Sequence, residues 1–324
     1  MLKTYILLDF SNLAFRCKYV CQGDIDTRAS MALHIIFNSI RKVWRKFEAD
    51  HLVICLDDYS WRNIIYKEYK LHRRVKSKLR TPKEVEEDKY FSEIMHDFLN
   101  FLYDKTNVTY LKEKGLEADD LIAGWIDLHK SDKNIIISSD SDFFQLINKN
   151  VMIYDGIKGC TISVEGFKND NGTNVINKKT KKSKLPVNPE WELFKKIMRG
   201  DATDGIFSAY PKIRETKLLE AFNDKEEKGY IWNNMMLQTW VDHNDIVHTV
   251  LNDYNKNKEL IDLHAQPNEI KELIKTTINN SIKKKLVKQV GINLLRFCNI
   301  YQLNNISKYV EGFAEILQAP YNKK

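Results

Sequence analysis

The chain contains few of the residues that build disulfide scaffolds or low-complexity segments: five cysteines, six prolines and twelve glycines among 324 residues. The cysteines are odd in number and scattered, so no disulfide framework is expected and a reducing compartment fits. Cys17 and Cys21 are the only close pair. Because no second pair of cysteines or histidines stands at ligand spacing, the sequence does not predict a zinc site.

Long apolar runs are missing as well. The opening apolar run at residues 5–8 meets Asp9 at once, which makes it too short for a signal peptide. No stretch approaches the roughly 18 apolar residues that a membrane span needs. We therefore expect a cytoplasmic protein without a membrane partner.

Acidic residues are outnumbered by basic ones, 44 against 51, which gives a formal net charge of +7. This excess suits a polyanionic partner but does not identify one. With 43% hydrophobic and 29% charged residues, the composition is that of a globular protein. The length suffices for two domains of roughly 150 residues each.

The first half of the chain alternates short apolar runs with amphipathic stretches. Strands are predicted at residues 5–8, 52–56, 108–111, 135–137 and 151–154, and helices at 29–47, 90–102, 121–128 and 143–146. Strands that are separated by helices form mainly parallel sheets with right-handed crossovers. The predicted fold class is therefore α/β, with a mainly parallel sheet flanked by helices.

The second half changes character after a predicted hairpin, whose turn lies at residues 156–159 and whose second strand lies at 160–164. Residues 168–184 are rich in Asn, Lys, Gly and Thr and predict a mobile loop. Helices are then predicted at 191–198, 217–222, 232–251, 270–278 and 286–300. We place a domain boundary near Leu185, with one domain at residues 1–185 and a helical domain at 186–324.

Acidic residues follow each of the first four predicted strands. In chain order they are Asp9; Asp57 and Asp58; Glu117, Asp119 and Asp120; and Asp140 and Asp142. In an open α/β sheet, ligands bind in the crevice at the carboxyl ends of the strands, so these side chains should converge there. So many carboxylates cannot stay ionised together without cations. Hard divalent ions that prefer oxygen ligands, Mg²⁺ or Mn²⁺, would neutralise these charges. The size of the cluster suggests two ions, an arrangement that promotes phosphodiester hydrolysis.

A simpler structural role is available to each of these acids taken alone. Asp119 and Asp140 stand where a helix N-cap is expected, and Asp9 and Asp57 stand where a strand runs into a turn. The repetition at four strand ends favours a metal site over four separate structural roles.

Five segments, in order and at matching spacing, resemble the motifs of the flap endonucleases and bacterial 5′–3′ exonucleases. They are Leu8-Asp9-Phe10-Ser11-Asn12-Leu13-Ala14, Tyr69-Lys70-Leu71-His72-Arg73, Glu117-Ala118-Asp119-Asp120, Ser138-Ser139-Asp140-Ser141-Asp142-Phe143-Phe144-Gln145-Leu146 and Gly200-Asp201-Ala202-Thr203-Asp204. Any one segment would be a weak signal, but five in order are specific. The chain is similar above all to the bacteriophage ribonuclease H branch of this family, which would place it in a host cytoplasm.

The resemblance implies a PIN-like nuclease domain, a C-terminal helical domain of the 5′–3′ exonuclease type, and two Mg²⁺ ions for which Mn²⁺ substitutes. It also implies removal of RNA primers and DNA flaps during replication by hydrolysis near 5′ ends and junctions. By motif, the ligands of the first ion are Asp9, Asp57, Glu117 and Asp119, with Asp120 close by. Those of the second ion are Asp140, Asp142, Asp201 and Asp204.

A basic region at about residues 70–92 resembles the arch that threads or clamps a 5′ single strand in this family. Lys70 and Arg73 stand at i and i+3, so a helix would present both to a scissile phosphate as catalytic residues. Tyr69 is expected to stack on a terminal base. Taken alone, the region would read as a solvated basic helix, and its lack of apolar residues suggests that it orders only on DNA. The other arch residues expected to bind nucleic acid are Arg74, Lys76, Lys78, Arg80 and Lys83.

One segment departs from the family pattern. After the last acidic motif, many relatives carry a Gly-Ile-Gly turn within a helix-turn-helix that grips duplex phosphates, often with a potassium ion (K⁺). Residues 209–214 lack those glycines, which puts close backbone approach and the K⁺ site in question. We expect Lys212, Arg214 and Lys217 to hold the duplex through side-chain charge instead.

The expected substrates are forked, flapped or nicked duplex DNA and RNA/DNA hybrids, bound by a monomer. A single-strand-binding protein or a sliding clamp is suggested as a partner by the resemblance alone. Two rival functions stay open. A PIN-type single-strand ribonuclease would share the acids but is typically one small domain, and a non-catalytic junction-binding protein would be expected to have lost some of them.

Overall fold

A mainly parallel seven-stranded sheet forms the centre of the computed structural model, which describes residues 2–21 and 23–322. The strand order is β3-β2-β1-β4-β5-β6-β7. Neighbours from β3 to β5 are parallel, and β6 and β7 extend the sheet in antiparallel fashion. The strands are β1 (Thr4–Asp9), β2 (His51–Cys55), β3 (Thr109–Leu111), β4 (Lys133–Ile137), β5 (Val151–Asp155), β6 (Cys160–Ser163) and β7 (Gly166–Asn169).

The central strands are buried on both faces, as their unbroken apolar sequence predicts. In β1, Tyr5 and Leu7 belong to the hydrophobic cluster on one face, whereas Ile6 and Leu8 belong to the cluster on the other. This division follows from the two-residue period of a strand. Because both faces are occupied by apolar packing, polar groups can gather only at the strand ends.

Helices connect the strands and cover both faces of the sheet. In the first half they are α1 (Phe10–Val20), α2 (Ile25–Phe47), α3 (Arg62–Ile65), α4 (Leu71–Lys78), α5 (Pro82–Lys105), α6 (Ala118–Leu128) and a 3₁₀-helix at Ser141–Leu146. In the second half they are α7 (Pro189–Arg199), α8 (Glu215–Asp224), α9 (Tyr230–Met236), α10 (Val250–Ile261), α11 (Asn268–Ser281), α12 (Val290–Ile300), α13 (Asn304–Lys308) and α14 (Val310–Gln318). Among the described residues, none of these helices combines the length and apolar character of a membrane span.

The C-terminal helices complete the core of the sheet. Ile274 and Ile278 of α11 pack into the cluster beside α6, and Leu294 of α12 and Phe313 of α14 pack into the opposite cluster with α2 and α5. Helices α7 to α10 form a separate cluster. The α/β fold class is confirmed, and the division into domains near Leu185 stays a prediction. Residues on both sides of Leu185 contribute to the two main clusters.

The arch region, expected to be disordered without DNA, is helical, and the segment predicted as a mobile loop contains isolated β-bridges. Helices α4 and α5 run through the arch region. The Thr81 side chain caps the start of α5, and Pro82 is the first residue of that helix. A proline fits there because its missing N–H needs no partner. Residues 168–184, predicted as a mobile loop, begin with part of β7 and are joined by isolated β-bridges such as that between Ile176 and Ser183.

The single helix predicted at residues 232–251 is wrong. The structure has α9, then a hairpin of β8 (Thr239–Val241) and β9 (Val247–Thr249), and then α10. The Asp242 carboxylate accepts hydrogen bonds from the backbone N–H groups of Asn244 and Ile246 and so closes the turn. Trp240 stacks on His248 across the hairpin at a centroid distance of 4.2 Å. These contacts outweigh the helical spacing of the apolar residues.

Candidate metal centre and nucleic-acid cleft

The strand ends bring the predicted acids to one side of the molecule. Asp9 is the last residue of β1 and the N-cap of α1, Glu117 is the N-cap of α6, and Asp140 is the N-cap of the 3₁₀-helix. All three therefore lie at the start of the helix that follows a strand. An open cleft of about 1560 Å³ runs along this side. The predicted site residues that line it are Asp9, Asp57, Lys70, Arg73, Lys76, Arg80, Asp119, Asp140, Asp142, Asp201 and Asp204.

A loop after α7 carries Asp201 and Asp204 to this cleft. Gly200 ends α7 with φ of +70°, and a Cβ there would lie 2.3 Å from the carbonyl oxygen of Ile206. Only glycine permits this close approach. The Lys70 N–H donates to the carbonyl oxygen of Asp204 at 2.7 Å, which ties the loop to the start of the arch region.

The first group of acids lies at the ends of β1 and β2, where Asp9 is buried, Asp119 is partly buried and Asp57 is exposed. Asp9 accepts hydrogen bonds from the N–H of Asn12 at 3.2 Å and from the hydroxyl of Ser138 at 2.9 Å. Asp57 accepts one from the N–H of Ala118 at 2.8 Å. Burial, followed by repulsion from Asp57, raises the pKa of Asp9 to about 7. Burial and repulsion from Asp9 raise the pKa of Asp119 well above its ordinary value. The ionised carboxylates of this group are therefore disfavoured, and a bound cation would stabilise them.

The second group, Asp142, Asp201 and Asp204, forms a compact triad. One carboxylate oxygen from each lies within 4.8 Å of the other two. Carboxylate oxygens this close together are suitable ligands for hard divalent ions such as Mg²⁺ or Mn²⁺. Burial raises the pKa of Asp142 to about 6, although the charge of Lys196 opposes the shift. The donor set and its proximity therefore fit a divalent ion.

Basic side chains contact the acids, among them Lys70, Arg73 and Lys196. The Lys70 ammonium contacts Glu117 and lies 3.8 Å from Oδ2 of Asp204, and the Arg73 guanidinium lies 2.6 Å from Oδ1 of Asp204. Lys196 of α7 contacts Asp142 and lies 2.8 Å from Oδ2 of Asp201. Sequence analysis did not single out Lys196. Its only signal was a position in the last turns of the helix that leads to Asp201.

Tyr69 does not occupy the position predicted for it. Its side chain is 3% exposed, and its hydroxyl donates to Oε2 of Glu117 at 2.8 Å and lies 3.3 Å from Oδ2 of Asp204. A ring buried behind two carboxylates cannot stack on a base. The predicted stacking role is therefore wrong in this structure, and Tyr69 supports the acids instead.

Asp120 is also placed differently from the prediction. It is 0% exposed, and its oxygens accept five hydrogen bonds. The donors are the Arg62 guanidinium (two bonds of 2.9 Å), the Gln266 amide (2.9 Å), the Trp61 indole (3.2 Å) and the Glu117 N–H (3.2 Å). A carboxylate engaged in this way has no free face for an ion, so its assignment as a metal ligand is corrected to a structural one.

The predicted nucleic-acid-binding residues divide into three sets. Lys70, Arg73, Lys76 and Arg80 line the cleft with the acids. Arg74 bonds instead to Asn63 and to the carbonyl oxygen of Lys67. The remaining residues are exposed but are not brought to the acids: Lys78 and Lys83 on the arch helices, Lys212 and Arg214 in the connection from α7 to α8, and Lys217 in α8.

An aromatic pair that sequence analysis missed also lines the cleft. Phe15 and Tyr19 of α1 are 59% and 64% exposed, and their ring centroids lie 4.8 Å apart. Exposed aromatic side chains beside basic ones can stack on nucleic-acid bases. The available signal was the i, i+4 spacing of two aromatic residues in the segment that follows Asp9.

Comparison with known proteins places these features in a family. Residues 4–180 match the model of the 5′-3′ exonuclease N-terminal resolvase-like domain. The chain is 29% identical over 163 residues to the flap endonuclease Xni of Psychromonas ingrahamii, covering 48% of this chain and 57% of that protein. It is 26% identical over 209 residues to a 5′-3′ exonuclease of Buchnera aphidicola, covering 63% of this chain and 64% of that protein. The match thus spans less than two thirds of either relative.

Solved structures of bacteriophage T5 proteins share the fold. The T5 D15 protein co-crystallised with metal ions has a TM-score of 0.56 and 19% identity, covering 86% of this chain and 99% of its own. The T5 5′-exonuclease with bound zinc ions has a TM-score of 0.55 and 20% identity, covering 96% and 99%. The T5 D15 flap endonuclease in a complex with DNA and metal ions has a TM-score of 0.51 and 18% identity, covering 97% and 100%. At these identities the likeness shows the fold.

Proposed function

The chain belongs to the 5′–3′ exonuclease family, and we propose that it is a structure-specific 5′ nuclease that depends on Mg²⁺. It would hydrolyse phosphodiesters of RNA primers and DNA flaps near 5′ ends and junctions during replication. The observation that carries the proposal is the cleft in which carboxylates from four strand ends and one loop meet the basic side chains of the arch region.

The acids divide into two candidate ligand sets for two ions. The first is Asp9, Asp57, Glu117 and Asp119, and the second is Asp140, Asp142, Asp201 and Asp204. Divalent ions bound there would activate a water molecule and offset the charge that develops on the phosphate. The raised pKa values of Asp9, Asp119 and Asp142 support this reading, because burial and repulsion between carboxylates disfavour their ionised forms, which a bound cation would stabilise.

Lys70 and Arg73 are the candidate phosphate-binding groups. Both line the cleft, and both contact carboxylates of the candidate centre. Fixed positive groups beside the reacting phosphate would stabilise the charge of the transition state. In this proposal they also position the scissile bond over the acids.

The 5′ single strand would run between the arch helices and α1. Lys76 and Arg80 of the arch region and the exposed rings of Phe15 and Tyr19 of α1 all line the cleft. Charged groups follow the backbone of a single strand, and aromatic rings stack on its bases without regard to sequence. The T5 neighbour bound to DNA supports DNA as the substrate class. Binding of the duplex by Lys212, Arg214 and Lys217 belongs to the same proposal.

A panel of end-labelled substrates tests this function and separates it from its rivals. We expect Mg²⁺-dependent cleavage of 5′-flap, forked and nicked duplexes and of RNA-primed DNA, with products that end near the junction or the 5′ terminus. Equal cleavage of unstructured single-stranded RNA would favour a PIN-type ribonuclease. Tight binding of forks without cleavage in any divalent metal would favour a junction-binding protein.

A further inference from the structure

Arg62 joins the candidate metal centre to the C-terminal half of the chain. It belongs to α3 and is 2% exposed. Its Nη1 donates to Oε2 of Glu117 at 3.1 Å and to Oδ2 of Asp120 at 2.9 Å, and its Nη2 donates to Oδ1 of Asp120 at 2.9 Å. Its Nε donates to the carbonyl oxygen of Leu260 at 2.8 Å. The guanidinium therefore bridges two carboxylates and a distant backbone segment.

The end of α10 and the segment that follows it hold this bridge in place. The Gln266 amide donates to Oδ1 of Asp120 at 2.9 Å, so this oxygen accepts hydrogen bonds from both Arg62 and Gln266. The same segment also holds the loop of Asp142: the Gln145 amide donates to the carbonyl oxygens of Asp142 and Ile261, at 2.9 and 3.2 Å. Residues 260–266 thus bond to groups beside both sets of acids: to Arg62 and Asp120 beside Glu117, and to Gln145 beside Asp142.

Burying this charged network has a free-energy cost. Removing a guanidinium and two carboxylates from water is expensive, and apolar packing of similar volume is often as stable or more stable. Such a network is understood more readily as a device that fixes orientation. Glu117 has its Oε2 held by Arg62 and by the Tyr69 hydroxyl and its Oε1 held by Lys70, so its carboxylate plane is set from three directions.

We propose that Arg62 is a positioning residue that orients Glu117 for metal binding, with Asp120 and residues 260–266 as its anchor. The candidate metal centre is then incomplete without the C-terminal half of the chain. This inference rests on the proposed function, in which Glu117 is a metal ligand. Partners of a ligand that lie outside the ligand shell typically change metal affinity about 10–100-fold when they are removed.

The test measures Mn²⁺ affinity of the full metal-free chain by calorimetry, in variants Arg62→Lys and Arg62→Met. Arg62→Lys keeps the charge but cannot bridge two carboxylates with a planar fork. We expect both variants to bind Mn²⁺ at least about tenfold more weakly. Cleavage by Arg62→Lys should need more Mg²⁺ while its rate at saturating Mg²⁺ stays close to that of the wild type.

Asn134→Ala is the matched control. This buried amide donates to the carbonyl oxygens of His129 and Asp132 at the opposite end of the sheet. It should lower the unfolding temperature without changing Mn²⁺ affinity. Should Arg62→Met fail to fold, Gln266→Leu serves in its place. It removes one hydrogen bond to Asp120 and is also expected to weaken Mn²⁺ binding.

Wild-type affinity in Arg62→Lys or in Gln266→Leu would overturn the positioning role. A loss of affinity in Asn134→Ala that matches its loss of stability would overturn it too, because the effect would then be general. A wild-type chain that binds no divalent ion would contradict the proposed function itself, so the two failures are distinguishable.

Discussion

The Lys196 ammonium lies 2.8 Å from Oδ2 of Asp201 and also contacts Asp142. The acidic triad thus carries a cation of its own, supplied by α7. Burial disfavours the charged amine, but the charges of Asp142 and Asp201 reverse this and raise the pKa of Lys196 above its ordinary value. A divalent ion held by the same carboxylates would have to share them with this ammonium.

Replacing Lys196 with methionine should therefore tighten Mn²⁺ binding. The substitution keeps most of the side-chain volume and removes a positive charge that repels a divalent ion. We expect a gain of about tenfold, equivalent to about 1.4 kcal/mol, measured by calorimetry on the metal-free chain. The unfolding free energy without metal should fall, because two ion pairs are lost.

Lys195→Met provides the control, since Lys195 pairs with Glu192 outside the triad. Its Mn²⁺ affinity should equal that of the wild type. Weaker binding in Lys196→Met would show instead that Lys196 holds the carboxylates in place for the ion.

Tyr69→Phe tests whether the buried hydroxyl supports the acids. The variant loses the donor to Glu117 and Asp204 but keeps the ring. We expect the Mg²⁺ concentration for half-maximal cleavage to rise about tenfold, while affinity for a 5′-flap duplex in Ca²⁺ stays unchanged. An unchanged Mg²⁺ requirement would remove the hydroxyl from the metal centre.

Metal affinity should rise with pH between about 5 and 8. The folded-state pKa values of Asp9, about 7, and Asp142, about 6, lie above the ordinary value. The stability that these groups contribute without metal is present below about pH 4 and is lost as pH rises through 6 to 7. A divalent ion must displace their protons, so Mn²⁺ binding in calorimetry should release protons near pH 6. A dissociation constant that does not change over this range would contradict the assignment.

Asp120 and Asp142 should respond differently to replacement by asparagine. Asp120→Asn leaves the Arg62 guanidinium poorly compensated in the interior, which is expected to cost about 3–5 kcal/mol of unfolding free energy. Asp142→Asn removes a carboxylate whose pKa is raised, so the stability without metal should change by about 1 kcal/mol or less. Urea unfolding in EDTA measures both. Wild-type stability of Asp120→Asn together with lost metal binding would make Asp120 a ligand after all.

Much of the fold follows from local sequence pattern. The unbroken apolar runs at residues 5–8 and 135–137 predict buried strands, and both are confirmed within β1 and β4. The placement of Asp9 and Asp140 at the strand ends follows from the same reading. Local rules work here because strand length, burial and the position of the first polar residue are set within a few neighbouring residues.

The orientation of side chains around the acids could be predicted only in part. Asp119 and Asp120 are adjacent on α6, and successive residues of a helix point about 100° apart, so the two side chains have different surroundings: Asp119 lines the cleft and Asp120 is buried. Which of the two is buried in the protein interior depends on Arg62, which lies 58 residues away from Asp120 along the chain. The burial of Tyr69 and the pairing of Lys196 likewise depend on contacts between distant segments, which spacing alone does not contain.

Cleavage of an end-labelled 5′-flap duplex by the wild type and by Asp142→Asn, in Mg²⁺ and in EDTA, tests the central claim most directly. The account predicts that the wild type cuts near the junction in Mg²⁺ alone, and that Asp142→Asn binds the same duplex but cuts it orders of magnitude more slowly. Retained turnover in Asp142→Asn, or tight binding without cleavage by the wild type in any divalent metal, would contradict it.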